Sequence, residues 1–150
     1  MRGEGNLPSL FGEKMRDVQN IKTVVMAENS GGTVEGTVDT QGFRFCRIIC
    51  AHATNVVVNT NVFVEHSDDN STYTPIPNIV AGVDYTLTTA TNSTTKAKVI
   101  WDINLQGKKR YLKAKCGTGS GRTFLVATLL NPVDGLTTGL ERGTDIYAQG

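Results

Sequence analysis

The chain has 150 residues, enough for one domain with a real core, and 39% of them are hydrophobic. A formal charge of +1 gives no bulk attraction to nucleic acid or to an anionic membrane, so neither is an expected partner. No apolar run reaches the 18 residues or so that a spanning helix needs, and the first residues lack the apolar core of a secretory signal. The expected place of synthesis is the cytoplasm.

Residues 1–20 read as an N-terminal arm in which charges alternate with Leu7, Leu10, Phe11, Met15 and Val18. Two readings stand side by side: a frayed terminus, or an arm that orders on a neighbouring subunit. Ile21–Ala27 is apolar and β-branched and predicts the first strand, and Asn29-Ser30-Gly31-Gly32 a turn. Thr33–Thr37 alternates, and Asp39-Thr40-Gln41-Gly42 turns the chain again. Phe43–Ala51 is a strong strand, with Cys46, Ile48 and Cys50 on one face and Phe43, Phe45, Arg47 and Ile49 on the other. Arg47 is costly to bury, so the cysteine face is the expected core face. The apolar members of the Arg47 face imply a covering element, for which the arm is a candidate.

Val56–His66 predicts a long strand, with Val62, Val64 and His66 on one face. Ser67–Ser71 favours a turn, because Asp, Asn and Ser bond their own backbone. Thr72-Tyr73-Thr74 resumes strand chemistry until Pro75 and Pro77 end it, which makes a hairpin with an acidic tip. Asn78–Thr95 reads as surface loops around a short strand near Tyr85-Thr86-Leu87. Ala97–Leu105 alternates, with Val99, Trp101, Ile103 and Leu105 inward and Lys98, Ile100, Asp102 and Asn104 outward. Arg110–Cys116 points Leu112, Ala114 and Cys116 inward and Tyr111, Lys113 and Lys115 outward. Arg122–Leu130 is the last strand, and residues 133–150 form a C-terminal tail. Without any long helical period, the expected fold is all-β: one antiparallel β-sandwich over residues 21–132, jelly-roll-like, with strand order open between jelly-roll and immunoglobulin-like connections.

Cys46 and Cys50 are roughly 13 Å apart along a regular strand, too far for a disulfide. Cys116 reaches one of them only across strands, and with an odd count and no secretion signal, buried free thiols are the expectation.

Few motifs carry chemistry. Gly117–Arg122 lacks the Gly-Lys-Ser/Thr ending of a phosphate loop. His52 and His66 stand apart from any metal-ligand spacing, and Asp68-Asp69-Asn70 lacks the full calcium-loop pattern. No nucleophile, base and acid are grouped, so neither an enzyme nor a cofactor is expected. The charge pattern is more informative. Residues 96–115 carry seven basic groups and one acid, and alternation would point Lys98, Lys113 and Lys115 outward together. That arrangement is either a solvated face that blunts edge pairing or a docking patch.

Three segments carry a resemblance: Asp39-Thr40-Gln41-Gly42-Phe43-Arg44, the hairpin Val62–Thr74, and Gly107-Lys108-Lys109-Arg110-Tyr111-Leu112-Lys113-Ala114. Their order and spacing resembles small β-sandwich proteins of tailed bacteriophages encoded near the major capsid protein, a group that includes head-decoration (cement) proteins. The resemblance covers about residues 35–132, and the sequence departs from it in the N-terminal arm, the polar 78–95 insertion and the C-terminal tail. It implies a non-enzymatic virion protein on the outer capsid surface, assembled in the host bacterial cytoplasm and bridging major capsid subunits. It also implies a homo-oligomer, dimer or trimer, at a capsid symmetry axis. On that reading Leu7, Leu10 and Phe11 are candidate apolar anchors, and Lys98, Lys113 and Lys115 candidate steering charges. The rival reading is a carbohydrate- or host-surface-binding sandwich of a phage fibre or tail, which would want exposed aromatics where the 78–95 loops offer only Tyr85.

Overall fold

Alternating apolar and polar residues, punctuated by Gly, Asn and Asp, make eight strands in the computed structural model, which describes residues 20–29, 32–52, 62–84, 98–116 and 122–134. They are β1 (Ile21–Asn29), β2 (Val34–Asp39), β3 (Phe43–His52), β4 (Val62–Ser67), β5 (Thr74–Pro75), β6 (Lys98–Asn104), β7 (Tyr111–Cys116) and β8 (Thr123–Pro132). The described residues contain no helix. One sheet has the order β1-β8-β3-β6 and the other β2-β7-β4-β5, with every pairing antiparallel.

This order resolves the connection left open by the sequence. β1 pairs with β8, β2 with β7, β3 with β6 and β4 with β5, as in one long hairpin rolled up on itself, and the β3–β8 and β4–β7 pairings close the two sheets. That is the jelly roll. The short turns at Gly42 and Gly107 are therefore corners between sheets, whereas the expected hairpin at Val62–Thr74 stays within one, with His66 of β4 opposite Thr74 of β5. Gly42 turns the chain from β2 into β3 at φ 85°, a backbone region that costs glycine little, while the Phe43 N–H donates to the Thr40 carbonyl at 3.1 Å. Gln106-Gly107 makes the matching corner from β6 to β7, where the Lys108 N–H donates to the Leu105 carbonyl at 3.0 Å. The two corners are tied together. Thr40 donates through both its N–H and its hydroxyl to the Arg110 carbonyl, at 3.0 and 2.6 Å, and the Arg110 guanidinium forks onto Asp39.

The inward rows of both sheets form the core. Cys46, Ile48 and Cys50 of β3, Val62 and Val64 of β4, Trp101 of β6, Leu112 and Ala114 of β7 and Leu125, Ala127 and Leu129 of β8 are all buried. The inward and outward assignments made for β3, β6 and β7 hold along the strand interiors, with one departure. Phe43, expected on the Arg47 face, packs against the core where the strand begins.

The cysteine expectation needs correction. Cys46 is a buried free thiol, and desolvation pushes its pKa up to about 12. Cys50 and Cys116 are joined in a disulfide that ties β3 to β7, one strand from each sheet. Their partnership depends on two strands far apart in the chain facing each other across the core. The expected strand at 56–61, the short strand near 85–87, residues 1–19 of the arm and residues 135–150 of the tail lie outside the described residues.

Candidate functional site

The two outer faces of the sandwich differ in kind. On β2-β7-β4-β5, the expected basic patch is present as residues but not as a field. Glu65 lies opposite Lys113 in the β4–β7 register and pairs with it, Nζ to Oε2 at 3.0 Å. Glu35 lies opposite Lys115 on the β2 side and pairs with it at 3.7 Å. Lys109 reaches Asp68 at 3.5 Å, and Arg110 holds Asp39 at 2.6 Å. β7 is the basic strand, and acids from the strands on either side neutralise it. The Lys113 ammonium also sits 4.1 Å from the centre of the Tyr73 ring. Lys98 belongs to β6, in the other sheet, where it pairs in register with Ala51. The expectation that Lys98, Lys113 and Lys115 face outward together is therefore wrong: the strands that carry them lie in different sheets. Leu7, Leu10 and Phe11 lie outside the described residues.

At the edge of this sheet the β4–β5 turn uses its own acids. The Asp69 carboxylate accepts the Thr72 N–H at 2.8 Å, the Ser67 hydroxyl at 2.7 Å and the Ser71 N–H at 2.9 Å, while Asn70 takes φ 58°. Those bonds hold the Asp69 carboxyl well below the usual carboxylate range. Asp69 is thus a turn-builder. His66 accepts the Lys109 N–H through Nδ1 at 3.3 Å. Burial, then the Lys109 and Lys108 charges, lower its pKa from the ordinary histidine value. Among the described residues no three His, Cys, Asp or Glu side chains are grouped to hold a metal ion.

The outer face of β1-β8-β3-β6 is the candidate site. Strand register arranges its side chains in rows that cross all four strands. The first row is Ile21, Leu130, Phe45 and Asn104. The second is Thr23, Thr128, Arg47 and Asp102. The third is Val25, Val126, Ile49 and Ile100, apolar from edge to edge. A polar row thus lies between two rows that are wholly or mostly apolar. Val25 is 69% exposed, Ile100 52% and Phe45 40%. In the polar row the Arg47 guanidinium is bidentate on Asp102, Nε to Oδ1 at 2.6 Å and Nη2 to Oδ2 at 2.9 Å. That contact raises the Arg47 pKa and lowers that of Asp102. A shallow groove of about 370 Å³ runs beside this pair, between Phe45, Asn104 and Leu130.

A soluble sandwich whose two faces both met water would alternate more strictly, with polar residues outward on every strand. Contiguous exposed apolar patches of this kind mark interaction surfaces. The sequence carried a trace of the site, since Phe45 and Ile49 beside Arg47 and an outward Ile100 were all visible. What it did not show was that β1, β8, β3 and β6 lie side by side, so Val25, Val126 and Leu130 were not assigned to this surface.

No family model matches this chain, and no curated protein matches it. Among solved structures, the crystal structure of the SPBc2 prophage-derived protein YomS is similar at 14% identity and a TM-score of 0.49, over 74% of this chain and 93% of that one. At that identity and score, neither the fold nor the function of this chain rests on the likeness.

Proposed function

We propose that this chain is a structural protein of a tailed-phage virion that binds the outer capsid surface and stabilises the shell by bridging major capsid subunits. The observation that carries the reading is the apolar outer face of β1-β8-β3-β6, with Val25, Phe45 and Ile100 exposed on a rigid strand scaffold. A face of this composition marks an interaction surface, and suits a component whose working state is assembled. The sequence resemblance to phage head-decoration proteins supplies the partner and the location, and the jelly roll matches the sandwich that resemblance implies. The inter-sheet Cys50–Cys116 bond suits a protein that works on a released particle, because disulfides persist on virion surfaces and outside the reducing cytosol. Many copies on a symmetric lattice would add avidity to contacts that are individually modest.

The test is co-sedimentation of the purified protein with phage heads that lack it. Saturable binding at a fixed ratio to the capsid subunit is the expected result, and the ratio identifies the symmetry site. Failure to bind heads, with the protein recovered on tails or fibres, would overturn the capsid reading in favour of a host-binding or tail component.

A further inference from the structure

We propose that the β1-β8-β3-β6 face is a homodimer interface, packed face to face on a second copy of this chain about a two-fold axis. The inference rests on the assembly reading above and deepens it: the face that marks the chain as an assembly component is occupied by a second copy, and contact with the shell falls to the surfaces the dimer leaves outside. Three properties of the surface point to a second copy.

The first is self-complementarity. A two-fold axis in the interface plane and parallel to the strands lays each cross-strand row on its own reversed copy. The row of Val25, Val126, Ile49 and Ile100 then meets only apolar groups. The polar row meets the polar row, so Thr128 and Thr23 of one copy come opposite Arg47 and Asp102 of the other. The slight rotation usual between stacked sheets, about 30°, preserves this matching near the axis.

The second property is charge. The polar row carries one cation and one anion already neutralised by a bidentate contact. Covering it with an identical row brings no net charge into the interface. A strongly acidic or basic partner would gain nothing from this row, because its field is compensated.

The third is size. Four strands about 4.8 Å apart, of about nine residues each at roughly 3.3 Å, span roughly 570 Å² in projection, and side-chain relief brings this to the scale of the roughly 800 Å² per partner in a standard interface. The face is large enough for a stable dimer without help from another surface. The dimer would carry both β2-β7-β4-β5 faces, with their ion-paired ladders, on its outside.

The experiment is sedimentation equilibrium of the full purified chain across the micromolar range, in parallel with head co-sedimentation. The wild type should be dimeric. Ile100→Lys should raise the dimer dissociation constant by more than about tenfold, since it places an ammonium in the apolar row. Arg47→Glu should do the same by setting two acids side by side in the polar row, and the Arg47→Glu/Asp102→Arg double variant should recover the dimer. All three positions are exposed, so folding is not at stake, and circular dichroism checks it. A wild type that stays monomeric would overturn the proposal, as would a dimer indifferent to both Ile100→Lys and Arg47→Glu. A chain that becomes dimeric only after removal of residues 1–19 would also overturn it, because its own N-terminal segment would then be the occupant. Monomers that bind heads, with binding lost in Ile100→Lys, would overturn the dimer while leaving the capsid reading intact. Dimers that respond to the variants but ignore heads would support this proposal and sink the capsid reading instead.

Discussion

Lys113 of β7 and Glu65 of β4 face each other across the sheet, with Nζ and Oε2 3.0 Å apart and their side chains only 23% and 17% exposed. With Tyr73 over the ammonium, this is the most enclosed ion pair among those described. A lysine expected to reach for a partner outside the molecule is instead spent inside it. Glu65→Gln keeps the shape and removes the charge, leaving the ammonium half-buried without its counter-ion. We expect a loss of about 1–2 kcal/mol in urea unfolding, between the values for exposed and fully buried pairs. Glu65→Lys/Lys113→Glu should recover part of it. If Glu65→Gln unfolds at the parental midpoint, the pair contributes nothing to stability.

Gly36 sits in β2 against Met26 of β1. A Cβ built there would lie 2.7 Å from both the Cβ and the carbonyl oxygen of Met26. The clash is with backbone, which cannot swing aside like a side chain. Gly36→Ala should therefore destabilise by about 1–3 kcal/mol, the usual range for overpacking. Gly32, with open space around its Cβ position but φ 83°, should respond to alanine through backbone strain and not through contacts. Thermal melts would separate the mechanisms, because Met26→Gly removes the Cβ but not the main-chain part of the clash, and should partly rescue Gly36→Ala while leaving the Gly32→Ala loss unchanged.

The disulfide gives a direct chemical count. Alkylation of the unfolded, unreduced protein should label one thiol, Cys46, and reduction should raise the number to three. Labelling of all three without reductant would show that Cys50 and Cys116 are unbonded. Replacing both by alanine should cost roughly 2–4 kcal/mol, because the bond restrains a long loop in the unfolded chain.

How far the sequence revealed these features follows from the range of each interaction. Strand positions were legible because alternation is local: Val99, Trp101 and Ile103 had to share a face whatever they packed against. The rolled-up strand order was not legible, because the turns at Gly42 and Gly107 look the same whether they join neighbours in one sheet or cross between two. Three errors share that cause. The basic run on β7 looked uncompensated because Glu35 and Glu65 sit far away in the chain. Lys98 and Lys113 are close in sequence but lie in different sheets. Nothing local brings Cys116 to Cys50, 66 residues away in the chain. The apolar outer face was half legible, through the residues flanking Arg47, and became a continuous surface only once the register set Val25, Val126, Ile49 and Ile100 in line.

The acid side of the stability profile should be set largely at the β4–β5 turn. The Thr72 N–H, the Ser67 hydroxyl and the Ser71 N–H hold the folded Asp69 carboxyl well below the roughly 3.9 of an unfolded aspartate. A depressed folded pKa means that the unfolded chain binds the proton first. The stabilisation is therefore complete above about pH 4 and is lost as pH falls from there toward the folded value. His66 adds a separate step at milder pH. Burial and the Lys109 and Lys108 charges lower its folded pKa below about 6.5, so its contribution is present above that value and declines as pH drops through the window beneath it. Urea midpoints measured from pH 8 to pH 2 should thus fall in two stages. Asp69→Asn should flatten the lower stage and leave the upper one, while His66→Gln should do the reverse. An unchanged lower stage in Asp69→Asn would assign the acid sensitivity to Asp39 and Asp102, whose arginine partners also hold them below the ordinary range.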